Sequence, residues 1–345
     1  MIAPLLLLFS RMAISGEPWG PGDLQALAGL TADQWQAVQR GGPQARIVDT
    51  KENREVAVFG IAHLHSTAAC FTTMLRDIEN FKKDPAVLRI RKFEKPVEPH
   101  DLEGLRLEEA DVAGLVNCRV GACNVKLPAA TIQRFGRDVD RSRPDYATTS
   151  QEIFREELLA YLETYLNHGD SALIEYRDKR RSVRLADEFG GLLDARPGVA
   201  GFAPEFYAWL ARGTGGTWPD VDQFLYWSTE SFGLKPVTSI THVSIYKQPG
   251  RAVVASKQIY ASHYFDGSLG VTVALDDPSR DPGAGMYLVY LNRSRIDLLE
   301  GILGGWRRAA LRSRLVDGTQ KYLVQTVQKL ESSCGEHPGS TPRDR

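Results

Sequence analysis

The chain has 345 residues, 43% of them hydrophobic and 25% charged, which is enough to bury a core in one domain or two and too apolar for general disorder. Its 42 Lys and Arg against 43 Asp and Glu leave a formal charge of -1, so no excess positive potential draws a phosphate backbone and nucleic acid is disfavoured as a partner. No stretch reaches the roughly 20 apolar residues needed to cross a bilayer.

In chain order, an apolar run from Ile2 to Phe9 precedes Ala13, Ile14 and Ser15, a small-x-small pattern of the kind signal peptidase cuts. No Lys or Arg precedes the run, and Arg11 stands between run and site. Met1 to Ser15 read as a signal peptide makes the protein exported or periplasmic; otherwise it is cytoplasmic. Residues 1–22, with Pro18, Gly20, Pro21 and Gly22, form a lead-in, and folded structure is expected from Thr31, where a short helix opens.

Residues 55–64 alternate as a buried strand. Ser66 or Thr67 then caps a helix in which Phe71, Met74, Leu75 and Ile78 fall at i, i+3, i+4 and i+7. A second helical stretch spans 101–116. It leads to Cys118 and Cys123, whose four-residue spacer lets the two sulfurs meet. An exported chain would hold them as a disulfide, a cytoplasmic one as buried thiols. Ser150 opens a strong helix that ends near His168 and Gly169, residues 172–176 read as a strand, and 182–218 is a Gly- and Pro-rich cover with one helix over 204–210. Residues 101–218 are thus a mainly helical insertion.

From Phe224 the runs turn β-prone, at 224–229, 238–247, 251–266, 269–275 and 286–291, with links so short that neighbours pair antiparallel. The end is a long helix to Lys329, broken near Gly304 and Gly305, with a disordered tail over 332–345. On a wheel, Leu311, Leu315, Gly318, Thr319, Tyr322, Leu323, Thr326 and Leu330 share one side, small in its middle. The fold class that follows is α+β: a curved antiparallel sheet closed by the final helix, one domain over 31–331.

This order, with Trp35-Gln-Ala-Val, residues 71–77 of the first helix, the 251–266 strand and the 307–329 helix, resembles the START-type and polyketide-cyclase-like helix-grip superfamily, as a distant bacterial member. The helical stretch 101–167 departs from the usual pattern. The resemblance implies an elongated cavity between sheet and closing helix that holds an apolar or amphipathic molecule, with no reaction implied.

Candidate chemistry gathers at 257–266. Alternation puts Lys257 and His263 on one face and Tyr260 and Tyr264 on the other, so either pair is set to hold a ligand's polar head. Arg293 can add positive charge for a carboxylate or phosphate, and Gly318 and Tyr322 would roof the cavity. His63 and His65 have metal-ligand spacing without a third ligand, so no metal is expected. No phosphate loop, nucleophile elbow or catalytic cysteine motif is present, and no cofactor is implied. The function expected is non-catalytic binding or transfer of a lipid or other apolar small molecule, with transient membrane-surface contact through Arg307, Arg308, Arg312 and Arg314. The alternatives are an enzyme on the same scaffold, with His263 or Lys257 as base, and a partner-binding protein with a filled groove.

Overall fold

The computed structural model describes residues 21–194, 198–213, 218–231, 233–277, 285–300 and 304–334. The signal-peptide reading of Met1 to Ser15 and most of the expected tail lie outside them. A helix, α1 (Pro21–Ala28), already precedes Thr31, because Leu24 and Ala28 bury against the core. Helix α2 (Ala32–Gln39) follows, with a capping box between Thr31 and Gln34. Next come β1 (Gln44–Val48), β2 (Glu55–Leu64), α3 (Ala68–Arg76), α4 (Ile78–Phe81) and β3 (Val87–Lys92). Thr67 caps α3 by accepting from the Cys70 N–H, as the sequence predicts.

The insertion carries α5 (Glu109–Leu115), α6 (Ala129–Asp138), α7 (Tyr146–His168), the two-residue strands β4 (Glu175–Tyr176) and β5 (Val183–Arg184), α8 (Leu185–Asp194) and α9 (Pro204–Ala211). It is mainly helical, as expected, and the predicted 172–176 strand shortens to its last two residues. The chain then runs through β6 (Val221–Glu230), β7 (Val237–Gln248), β8 (Arg251–Ala261), β9 (Phe265–Asp276) and β10 (Met286–Ile296) to α10 (Gly304–Cys334). The predicted 251–266 strand divides at Ser262 to Tyr264, where Tyr264 takes a left-handed φ of 61° and its carbonyl accepts from the Asp297 N–H at 2.9 Å.

The architecture is α+β. Eight strands form one antiparallel sheet in the order β1-β2-β10-β9-β8-β7-β6-β3. One face packs a large core under α1, α2 and the insertion, with Ile61, Val289, Val273, Val253, Ala255 and Ile240 pointing into it. The other carries Ala62, Leu288, Ala274, Val254, Ile245 and Phe224 against α3, α4 and the C-terminal part of α10. Helix α10 lies chiefly along β2 and β1, at one side of the sheet. A close approach fixes that seat: a Cβ on Gly60 of β2 would stand 2.6 Å from Leu323 Cδ1.

Two disulfides pin the periphery. Cys118 and Cys123 are bonded, as their spacing anticipates, and Arg119 and Ala122 pair between them. Cys70 of α3 is bonded to Cys334, which corrects the expected tail: α10 continues to its Cys334 anchor.

Candidate functional site

The face of the sheet beside α10 changes character along its strands. At one end it is apolar and covered. Toward the other, every strand from β10 to β6 presents a polar side chain to the same side. The registers Ser294↔Ser268, Thr241↔Gln258 and Tyr226↔Thr241, with Lys257↔Leu269 fixing Gln258 beside Ser268, line up Ser294, Ser268, Gln258, Thr241 and Tyr226 across five strands. Asn292, Gly270 and Ser256 form the adjacent row, and Ser228 and Ser239 extend the floor at its β6–β7 side.

This floor is not sealed. The opposite face is covered by the insertion, yet Ser256, Gln258, Ser268, Thr272, Tyr290 and Asn292 remain half-buried, so their exposure is on the α10 side. Some of the polar groups satisfy one another. Ser268 and Ser294 hydroxyls lie 2.8 Å apart, Ser294 donates to Asn292 Oδ1 at 2.8 Å, and Asn292 Nδ2 donates to Ser268 at 3.3 Å. Gln258 Oε1 is buried and accepts no hydrogen bond.

Helix α10 borders the floor with one flank. Thr319, Leu323, Thr326, Val327 and Leu330 are buried toward β2 and α3. Gly318 and Tyr322, on the neighbouring arc of the wheel, are exposed, and a Cβ added at Gly318 would meet no atom within 4 Å. The predicted packed side of the helix therefore divides, with Thr319, Leu323 and Thr326 packed toward β2 and Gly318 and Tyr322 exposed. Tyr322 tilts against Tyr290 of β10 at 5.6 Å. Burial pushes its phenol up against the lowering influence of Lys82, although the residue is 37% exposed.

Lys82, just after α4, stands across from Tyr322. Its Nζ donates to Glu230 at 2.7 Å and to Tyr226 Oη at 3.4 Å. Burial opposes both charges, but each secures the other: the lysine is raised and the Glu230 carboxyl lowered from its ordinary value. The ion pair closes the α4 side of the floor. Arg314 of α10 reaches within 4.0 Å of the Cβ position at Gly233 in the β6–β7 turn.

The residues singled out from sequence separate onto two faces. Lys257 lies under the insertion, paired with Asp170 and placed over the Phe189 ring at 4.7 Å. Tyr260 is fully buried on that same side, between Phe154 and Tyr176, with no partner for its hydroxyl. The simple alternation expected for 257–266 fails because β8 carries a bulge: Ile240 pairs Tyr260 while Thr241 pairs Gln258, which turns Tyr260 to the face of Lys257. His263 is buried with Nε2 2.8 Å from Asp111 Oδ2, and Tyr264 Oη accepts from the Lys235 N–H at 3.2 Å. Arg293 pairs with Glu55. Of the residues singled out, only Tyr322 touches the floor, at Tyr290, and the Ser, Thr, Asn, Gln and Tyr226 that form it were missed. Their signal is period-2 hydroxyl and amide residues within otherwise apolar strands.

Charge concentrates elsewhere, where the insertion meets the sheet ends. Asp266, with no exposed surface, accepts from Lys126 at 2.8 Å, Arg54 at 2.7 Å and Arg181 at 2.9 Å. Lys126 also faces Asp297 at 3.2 Å, and Arg295 joins Glu188 at 2.8 Å. Burial works against the Asp266 carboxylate, yet Lys126, Arg181 and Arg54 together outweigh it and lower the pKa. These pairs tether residues distant in sequence and leave each other satisfied, a structural arrangement. His63 is buried with Nε2 3.2 Å from Asp277, whereas His65 is exposed against Glu331. Glu94, His100 and Asp101 bring ligand-type atoms within 4.8 Å of one another at the surface, with Asp101 already accepting from the Glu94 and Glu98 N–H groups. No protein-family model matches the chain, and no curated protein matches it.

Proposed function

We propose that this protein is a non-catalytic binder or carrier of a lipid-like, amphipathic small molecule, held between α10 and the sheet in the manner of helix-grip proteins. The strand order supports the comparison. Strand β2 is followed by two helices, β3 lies at the far edge, and β6 to β10 return strand by strand to pair with β2 before the closing helix. The insertion then falls between the second and third strands of that grip, and β1 is an added edge strand.

The observation that carries the proposal is the seat of α10. It packs on β2 and β1 and leaves a polar floor half-buried, and Gly318 in the middle of the helix has open space around its Cβ position. Pockets for small molecules combine apolar walls with a few placed polar groups. Here Leu288, Val254 and Phe224 continue the floor on its apolar end. The enzymatic alternative draws less support, because Lys257 and His263 are each held by a carboxylate away from this floor. Two disulfides favour an oxidising compartment. Delivery at an anionic membrane would use Arg308, Arg312 and Arg314 at the start of α10.

The test is mass spectrometry of small molecules that co-purify with the native chain and with Gly318→Leu. The variant is expected to fold, since leucine gains roughly 1 kcal/mol of helix propensity over glycine, and to lose the ligand. Equal retention by both proteins would refute the placement.

A further inference from the structure

Resting on that reading, we propose that the polar part of the ligand is an uncharged, hydroxyl-rich group, such as a sugar or polyol head, laid on the row Ser294, Ser268, Gln258, Thr241 and Tyr226. The row carries one hydroxyl or amide per strand, at the strand spacing of about 4.8 Å, with Ser268 and Gln258 half-buried at its centre and Ser294, Thr241 and Tyr226 buried around them. Hydroxyls both donate and accept, and so do the groups of the row, which suits a ligand with several hydroxyls in sequence.

Charge balance argues the same way. Beside the row, Lys82 and Glu230 neutralise each other, and Lys92, which pairs with Tyr226 in register, donates from its ammonium to the Arg76 carbonyl at 2.8 Å and lies 4.6 Å from the Phe224 ring. A carboxylate or phosphate head placed here would be desolvated with no unpaired cation from the row to receive it. Arg314 stands at the β6–β7 end and is exposed, away from the row. Gln258 supplies the second observation. Its carboxamide oxygen is a desolvated acceptor without a donor, which a ligand hydroxyl can provide after a small rotation of the side chain. Tyr290 and Tyr322, tilted together at 5.6 Å, add aromatic surface beside it for the apolar C–H faces of such a group.

Calorimetric titration of the full, disulfide-bonded chain with n-dodecyl β-maltoside, dodecanoate and dodecylphosphocholine, all below micelle formation, separates the outcomes. The maltoside is expected to bind about tenfold or more tighter than the two charged probes, the factor for one well-made hydrogen bond. Gln258→Leu and, independently, Ser268→Ala should each weaken the maltoside several-fold and leave dodecanoate unchanged, and Arg314→Ala should alter neither. Preference for dodecanoate or the phosphocholine, or maltoside affinity unmoved in both floor variants, overturns the assignment of a neutral head while the binding site stands. Failure of all three probes to bind, together with equal ligand retention in Gly318→Leu, overturns the site itself.

Discussion

Gly60 is where the seat of α10 is decided, and substituting it gives a measurable reading of that contact. Ala at this position would place its methyl 2.6 Å from Leu323 Cδ1, 3.2 Å from Thr319 Cγ2 and 3.5 Å from Leu323 Cγ. All three atoms belong to the arc of α10 packed against β2. Overpacking a well-filled core costs about 1–3 kcal/mol, and the reduced freedom of the unfolded chain returns about 0.4–1 kcal/mol. Gly60→Ala is therefore expected to destabilise by roughly 1–2 kcal/mol. Leu323→Ala alone empties a fully buried site and should cost about 2–5 kcal/mol. In the double variant the new methyl enters the space Leu323 vacates, so the combined loss should fall short of the sum by about 1 kcal/mol or more. Urea unfolding with both disulfides intact measures all three, provided the m-values agree. Strict additivity would refute the argument, because it would mean that α10 and Gly60 are not in contact.

Two other expectations concern buried charge. Burial, reinforced by nearby Lys257 and opposed by Asp170, pulls the His242 imidazole down to about 3, while its Nδ1 lies 2.8 Å from the Tyr165 hydroxyl. Below the ordinary value of 6.5 the unfolded chain takes up a proton that the fold refuses, so this residue should contribute a loss of about 1.4 kcal/mol per pH unit between pH 6 and 4. Unfolding free energies across that range should show His242→Gln with a slope shallower by one proton; an identical slope would contradict the assignment. At the sheet end, Lys126→Met leaves Asp266, Asp297 and Asp178 without their buried cation and should cost about 3–5 kcal/mol, whereas Arg181→Met, at a side chain 44% exposed, should cost roughly 1 kcal/mol or less. Equal losses in denaturation experiments would show that the network is not organised around Lys126.

The strands after Phe224 could be read from sequence because period-2 burial and turn residues both mark them, and the closing helix because its buried arc recurs at helical spacing. Edge strands β1 and β3 were not visible. Gln44–Val48 is half-buried throughout, and Val87–Lys92 mixes Arg89, Arg91 and Lys92 with Leu88 and Ile90, so neither gives a clean alternation. The face assigned to Tyr260 was misjudged because one bulged residue reverses every later side chain. Short-range chemistry such as Cys118–Cys123 is encoded in spacing, whereas Cys70–Cys334, 264 residues apart, depends on where α10 lands. The same holds for the floor itself. Each strand contributes one or two unremarkable Ser, Thr, Asn, Gln or Tyr, and only the register gathers them.

The account turns on open space beside α10, and thiol accessibility tests it directly. Ser256→Cys places a thiol on the half-buried floor, while Val254→Cys, two residues earlier on the same face, lies in the packed apolar part. Treatment of the folded protein with methyl methanethiosulfonate, read by intact mass, is predicted to modify the first rapidly, to spare the second, and to slow at the first when Gly318→Leu is added. Equal protection of both thiols until global unfolding would mean that the floor is packed shut.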